Sequence, residues 1–109
     1  MSKYNEKRLP YKTQEDLLDI LCDILFRLKS KQEMKNFLKD LLNRNERTML
    51  VRRLLIAEKL IDGMTYDDIK ALMRCGKSTI SRIERWVNFG RNGYKLAISV
   101  KKNKNSKLK

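Results

Sequence analysis

Four segments of this chain open with the same short signature, a small polar residue followed three positions later by an acid. They are Thr13-x-x-Asp16, Ser30-x-x-Glu33, Asn43-x-x-Glu46 and Thr65-x-x-Asp68. At a helix start the first side chain accepts a hydrogen bond from a free backbone N–H of the first turn, and the acid accepts one in return. The acid also lies at the positive end of the helix dipole. Apolar residues at helical spacing follow each signature, and the chain has one proline and four glycines with which to interrupt them. The pattern predicts an all-α protein.

The periodicity predicts helices over about 14–29, 31–42 and 44–62. The first is apolar around most of its circumference: Leu17, Leu18, Ile20, Leu21, Cys22, Ile24, Leu25, Phe26 and Leu28 leave one polar stripe of Asp16, Asp19, Asp23 and Arg27. Such a helix needs more than one buried face. In a chain of 109 residues a second copy is the natural second surface, with an entirely intramolecular core as the alternative. The second helix is ordinarily amphipathic, with Met34, Phe37, Leu38, Leu41 and Leu42 inward and Lys31, Lys35 and Lys39 outward. The third stops at Gly63, which suits a left-handed cap. Its inward row is expected to be Leu50, Leu54, Ala57 and Ile61, and its solvent row Thr48, Arg52 and Lys59.

Arg53 breaks this pattern, because Met49, Leu50, Ile56 and Ala57 surround it on the helix. A guanidinium there either snorkels to solvent or meets an anion. A salt bridge, within or between subunits, and a ligand contact both satisfy that demand.

Residues 65–87 carry the most specific local pattern, two short helices joined by a tight turn, a helix-turn-helix. Ile69, Leu72 and Met73 are expected inward from the first helix, Arg74-Cys75-Gly76 makes the turn, and Gly76 caps the second helix. Ile80, Ile83 and Val87 form the buried row of that second helix, leaving Ser78, Ser81, Arg82 and Arg85 on the opposite face with Lys77 at its flank. Small hydroxyls allow close approach to a nucleic acid, and arginine grips guanine in a bidentate fork. A plain helical hairpin with a polar surface is the competing reading.

Charge agrees with a polyanionic partner. The net +13 is uneven: residues 1–43 hold 9 basic and 7 acidic side chains, residues 44–109 the other 17 and 6. A strongly positive half beside a near-neutral one suggests a part that faces nucleic acid and a part that assembles. The final KKNKNSKLK, with five lysines and no periodicity, reads as a flexible tail that either adds non-specific phosphate attraction or is simply solvated.

Other classes find little support. Two cysteines and no histidine fit neither a zinc site nor a disulfide framework, and point to a reducing cytoplasm. MSKYNEKRLPYK has no apolar run for a secretory signal, and no segment approaches the ~20 apolar residues of a membrane span. Without histidine, a glycine-rich phosphate loop or an acidic metal cluster, no enzyme, cofactor or metal is expected.

The stretch Leu41-Leu-Asn-Arg-Asn-Glu-Arg47, the helix to Gly63, the Lys77-Ser-Thr-Ile-Ser-Arg82 run and the following Trp86-Val-Asn-Phe-Gly-Arg-Asn-Gly-Tyr94 together resemble the Trp repressor superfamily, and within it the YerC/YecD-type Trp-repressor-like family. The resemblance is strongest over 41–94. It implies an intertwined homodimer presenting two recognition helices about 34 Å apart to a near-palindromic operator in double-stranded DNA. By position it places Lys70, Lys77, Ser78, Thr79 and Ser81 among the DNA contacts, while Asp67 stands where Trp repressor has a DNA-contacting arginine. Arg53 and Arg82 match the two arginines that hold the amino acid in Trp repressor, but Ile83 and Trp86 replace a glycine and a serine of that pocket. Arg53, Arg82, Ile83 and Trp86 are thus a candidate effector or anion pocket, with tryptophan not expected as its ligand.

The resulting organisation is a flexible basic arm over 1–12, a Trp-repressor-like DNA-binding domain over 13–99 and a Lys-rich flexible tail over 100–109. The function expected is a sequence-specific transcriptional regulator, a repressor acting as a homodimer, with an unknown small-molecule effector as a further partner. The alternative is a basic helical adaptor for protein partners or structured RNA.

Overall fold

The computed structural model describes residues 11–107, with side chains over 12–103. Among these residues the protein is all-α, without a strand. The helices are α1 (Tyr11–Arg27), α2 (Lys31–Leu41), α3 (Arg44–Ile61), α4 (Tyr66–Met73), α5 (Lys77–Phe89) and α6 (Gly93–Lys107). They fall into two units, one up to Asn43 and one from Arg44 onward. None of these helices is long and apolar enough to cross a membrane.

In the first unit, α1 is already helical at Thr13, so that residue does not cap it. The basic arm expected over 1–12 lies outside the described residues except for its last two, which open α1. Ser30 caps α2 as its signature predicts: its Oγ accepts from the Glu33 N–H at 3.1 Å, and Glu33 Oε1 accepts from the Lys29 N–H at 2.9 Å. Leu17, Leu18, Ile20, Ile24 and Phe26 of α1 are exposed, Phe26 at 89%. Among the described residues the apolar circumference of α1 is largely uncovered.

The second unit has the core. Ile56 and Ala57 of α3, Ile69 of α4, and Ile80, Ile83 and Val87 of α5 form one buried cluster, with Leu60, Met64, Tyr66, Met73, Cys75 and Tyr94 packed against it. Each junction between these helices has a local cause. Gly63, at φ +89°, ends α3: its N–H reaches the Leu60 carbonyl at 3.0 Å and the Met64 N–H reaches Lys59 at 3.0 Å, the paired bonds of a left-handed helix terminus. Thr65 then caps α4, accepting from the Asp68 N–H at 3.2 Å. Arg74 closes α4 in the left-handed region at φ 53°, and Gly76 is the N-cap of α5.

Four further expectations need correction. On α2 no residue is buried, and Met34 and Leu41 of the expected inward row are exposed. On α3 the buried residues are Ile56, Ala57 and Glu58, whereas Leu50, Leu54 and Ile61 of the expected inward row are exposed. The reason is that α4 and α5 pack on the Ile56–Ala57 side. Leu72 of α4 is likewise exposed rather than inward. The lysine-rich stretch from 100, read as a flexible tail, instead continues α6 to Lys107. Lysine is a good helix former, and two of these lysines have acidic partners, one on α3 and one in the turn that follows it. Lys101 donates to both carboxylate oxygens of the buried Glu58 at 3.2 Å, and Lys102 pairs with Asp62.

The Asp62 carboxyl is held below its ordinary value chiefly by the Lys102 hydrogen bond, aided by the charges of Lys102, Lys59 and Lys101 against an opposing effect of burial. The same bond raises Lys102. A depressed carboxylate adds stability above its unfolded pKa, and that contribution is lost as pH falls through the folded value. A raised lysine contributes below its unfolded pKa and loses this as pH rises through its folded value. The pair is therefore formed across the neutral range and released by acid. Lys102→Met is expected to return the Asp62 titration, followed by carboxyl NMR, toward 3.8.

Gly90 ends α5, its N–H bonded to the Trp86 carbonyl at 3.0 Å. A Cβ at this position would lie 2.4 Å from that same oxygen, which is backbone and has no rotamer by which to yield. Gly90→Ala is expected to destabilise the fold by about 1–3 kcal/mol, read from the urea midpoint.

Candidate nucleic-acid interface

The surface that could meet a nucleic acid is built from the inside of α5 outward. Isoleucine and valine at positions 80, 83 and 87 recur at helical spacing, and all three are buried against α3 and α4. With that row fixed inward, the remaining positions have no choice of direction. Lys77, Ser78, Thr79, Ser81, Arg82 and Arg85 are all exposed, as is Lys70 on α4. Each of these candidate DNA contacts is thus open to solvent, with Thr79 and Arg82 also lining a cleft toward α3. Gly76 supplies no side-chain cap to α5. The first-turn N–H groups and the positive end of the α5 dipole are therefore not masked by a capping side chain.

Two contacts modify this surface. Asp67 on α4 lies 3.9 Å from the Lys77 ammonium, both well exposed, a weak pair that water screens. Tyr66, half-buried at the start of α4, donates its hydroxyl to the Glu84 carboxylate on α5. This bond is the main cause of a raised Tyr66 pKa, with burial and the Glu84 charge adding to it and a hydrogen bond from Ser81 opposing it. The tie links the two short helices and engages the carboxylate of a helix whose open side is otherwise cationic.

A cleft of about 530 Å³ lies between α3 and α5, closed by the turn and by Tyr94. Arg53, Arg82, Ile83 and Trp86 all line it, so the candidate pocket residues come together in one place. Arg52 and Thr79 line it too. Arg53 is exposed there, and the ion pairs found among the described residues involve other cations. Among the described residues no intramolecular salt bridge engages Arg53, which reaches solvent in the cleft. Ile83 is buried in the cleft floor, while Trp86 is half-exposed. Among the described residues no group of His, Cys, Asp and Glu could hold a metal ion.

Sequence reasoning missed Tyr66, Glu84 and Arg52. Arg52 was placed in a solvent row, yet it is half-buried and donates to the carbonyl of Met73 at 2.8 Å. No local signal marks it, because its partner is the end of another helix 21 residues away.

Comparison with known proteins agrees with this architecture. The family model for the Trp repressor protein matches residues 16–102. YerC of Bacillus subtilis (strain 168), an uncharacterised protein, is 36% identical over 81 residues, spanning 74% of this chain and 78% of that one. Among solved structures, a Trp repressor candidate from Staphylococcus aureus aligns with TM-score 0.71 at 30% identity, covering 80% of this chain and 87% of that one. A TrpR-like protein from Eubacterium eligens ATCC 27750 aligns with TM-score 0.73 at 29% identity, covering 83% and 93%. On the extent of the family match and the order of its helices, the chain belongs to the Trp repressor family.

Proposed function

We propose that this protein is a sequence-specific DNA-binding transcriptional regulator, a repressor that occupies a near-palindromic operator as a homodimer in the cytoplasm. The observation that carries the reading is the division of α5 into a buried Ile80–Ile83–Val87 row and an open side bearing Lys77, Ser78, Ser81, Arg82 and Arg85. Hydroxyls and guanidiniums on one rigid helix face suit base edges and phosphates of a major groove. Self-association is supported by the exposed apolar residues of α1 and by Met49, Leu50, Val51 and Leu54 of α3. Apolar surface of that extent marks an interaction site. A two-fold dimer doubles the recognition helix and calls for a two-fold operator.

Selection from random duplex pools, followed by gel shift at two salt concentrations, tests the reading. A regulator enriches a palindromic site and keeps its preference as salt rises. Weak binding without preference would favour the basic adaptor instead. Arg85→Ala is expected to cost about 1–3 kcal/mol at the selected site while leaving the dimer mass unchanged by light scattering.

The cleft is the proposed effector site, and its arginines suit an anionic small molecule. Tryptophan is not the effector in this reading, because Ile83 and Trp86 set two bulky side chains where Trp repressor has a glycine and a serine. Calorimetric titration is expected to show no tryptophan binding in the micromolar range, and a micromolar isotherm would refute this.

A further inference from the structure

The last carbonyls of a helix have no partner within it and form the negative end of its dipole. At the end of α4 these belong to Met73 and to Arg74, whose left-handed backbone at φ 53° turns the chain toward α5. Arg52 reaches across from α3 to meet them: its Nη2 donates to the Met73 oxygen at 2.8 Å and lies 3.5 Å from the Arg74 oxygen. Only Cys75 and Gly76 separate this anchored point from Lys77, where α5 begins.

Apolar packing and this tie do different things. Ile80, Ile83 and Val87 decide which side of α5 is inward, but dispersion contacts are non-directional and tolerate small slides. A charge-assisted hydrogen bond has both a length and an angle to satisfy. Bidentate reading of a base is equally strict about geometry, so the start of α5 must be held more tightly than packing alone holds it. Arg52 is half-buried and its Nη2 is turned inward on the turn.

We propose that Arg52 is a positioning residue for DNA recognition: by clamping the Met73–Arg74 carbonyls to α3 it sets where α5 starts and how its open side is aimed, without touching DNA itself. The inference rests on the DNA-binding reading above.

The test compares the wild-type protein with Arg52→Met and Arg52→Lys on the selected operator and on random duplex, across a salt series, with thermal melts of each. Arg52→Met keeps the length of the side chain but not its donors, and is expected to weaken operator binding about tenfold, the scale of one lost charge-assisted bond. Binding to random duplex should change by no more than about twofold, with the salt slope unaltered. Arg52→Lys keeps the charge and reaches one carbonyl, so a smaller loss of about threefold is expected, and this variant carries the test if the methionine protein does not fold. Three results would overturn the inference. One is operator preference unchanged in both variants, and another is a lower melting temperature with the operator-to-random ratio intact. The third is an equal loss on both duplexes with a salt slope reduced by about one, which would make Arg52 a phosphate contact. A wild-type protein that selects no duplex would remove the DNA-binding reading and this inference with it, whereas a selective wild type with indifferent variants removes this inference alone.

Discussion

Everything on the open side of this molecule depends on three isoleucines meeting in one place. Ile56 of α3, Ile69 of α4 and Ile80 of α5 are each no more than 2% exposed, and they join the three helices that could otherwise turn freely about their axes. Burying each is worth roughly 1.5–3 kcal/mol. Their directional consequence is larger than their energy. Successive residues of a helix differ by about 100° in azimuth, so once Ile80 is fixed inward, Ser78, Ser81, Arg82 and Arg85 have no other place to go. Core packing chooses the chemistry of the surface.

The same chain leaves apolar residues uncovered elsewhere, and their distribution is not random. The core cluster lies among α3, α4 and α5, while α2 contributes no buried residue and α1 carries Phe26 at 89% exposure. The apolar row of α3 formed by Leu50, Leu54 and Ile61 is also open. One unit thus completes a small core by itself, and further apolar surface remains for association. Glu58 shows the polar counterpart of this economy: it is buried, and Lys101 engages both its oxygens. A buried carboxylate without such a partner would be strongly destabilising.

What was legible in the sequence was whatever depends on neighbours in the chain. Gly63, Thr65 and Gly76 occupy the caps their chemistry suggests, and the Arg74–Gly76 turn falls where the breakers place it. The inward row of α5 follows from helical spacing alone. What depends on another element was not legible. Helical spacing on α3 shows an apolar row, but not which apolar residues α4 and α5 will choose to cover. Leu72 resembles a core residue until the packing around it is known. Arg52 looks solvated because an arginine on a helix surface usually is. The helical extension of α6 was hidden for the same reason, since the carboxylates that meet its lysines lie 40 and 43 positions earlier. The signature at Thr13 failed differently: α1 is already helical there, and a small polar residue inside a helix has the same spelling as one at its start.

The pairing of Lys101 with Glu58 and of Lys102 with Asp62 changes how the charge of this protein should be counted. A cation that already faces a carboxylate must surrender it before it can neutralise a phosphate, and the exchange displaces fewer condensed counterions from a duplex than a free lysine would. Two of the lysines that make this terminus look polycationic, Lys101 and Lys102, are therefore internal mortar that ties α6 to the C-terminal end of α3. Fewer cations are free to meet phosphates than the 26 lysines and arginines suggest.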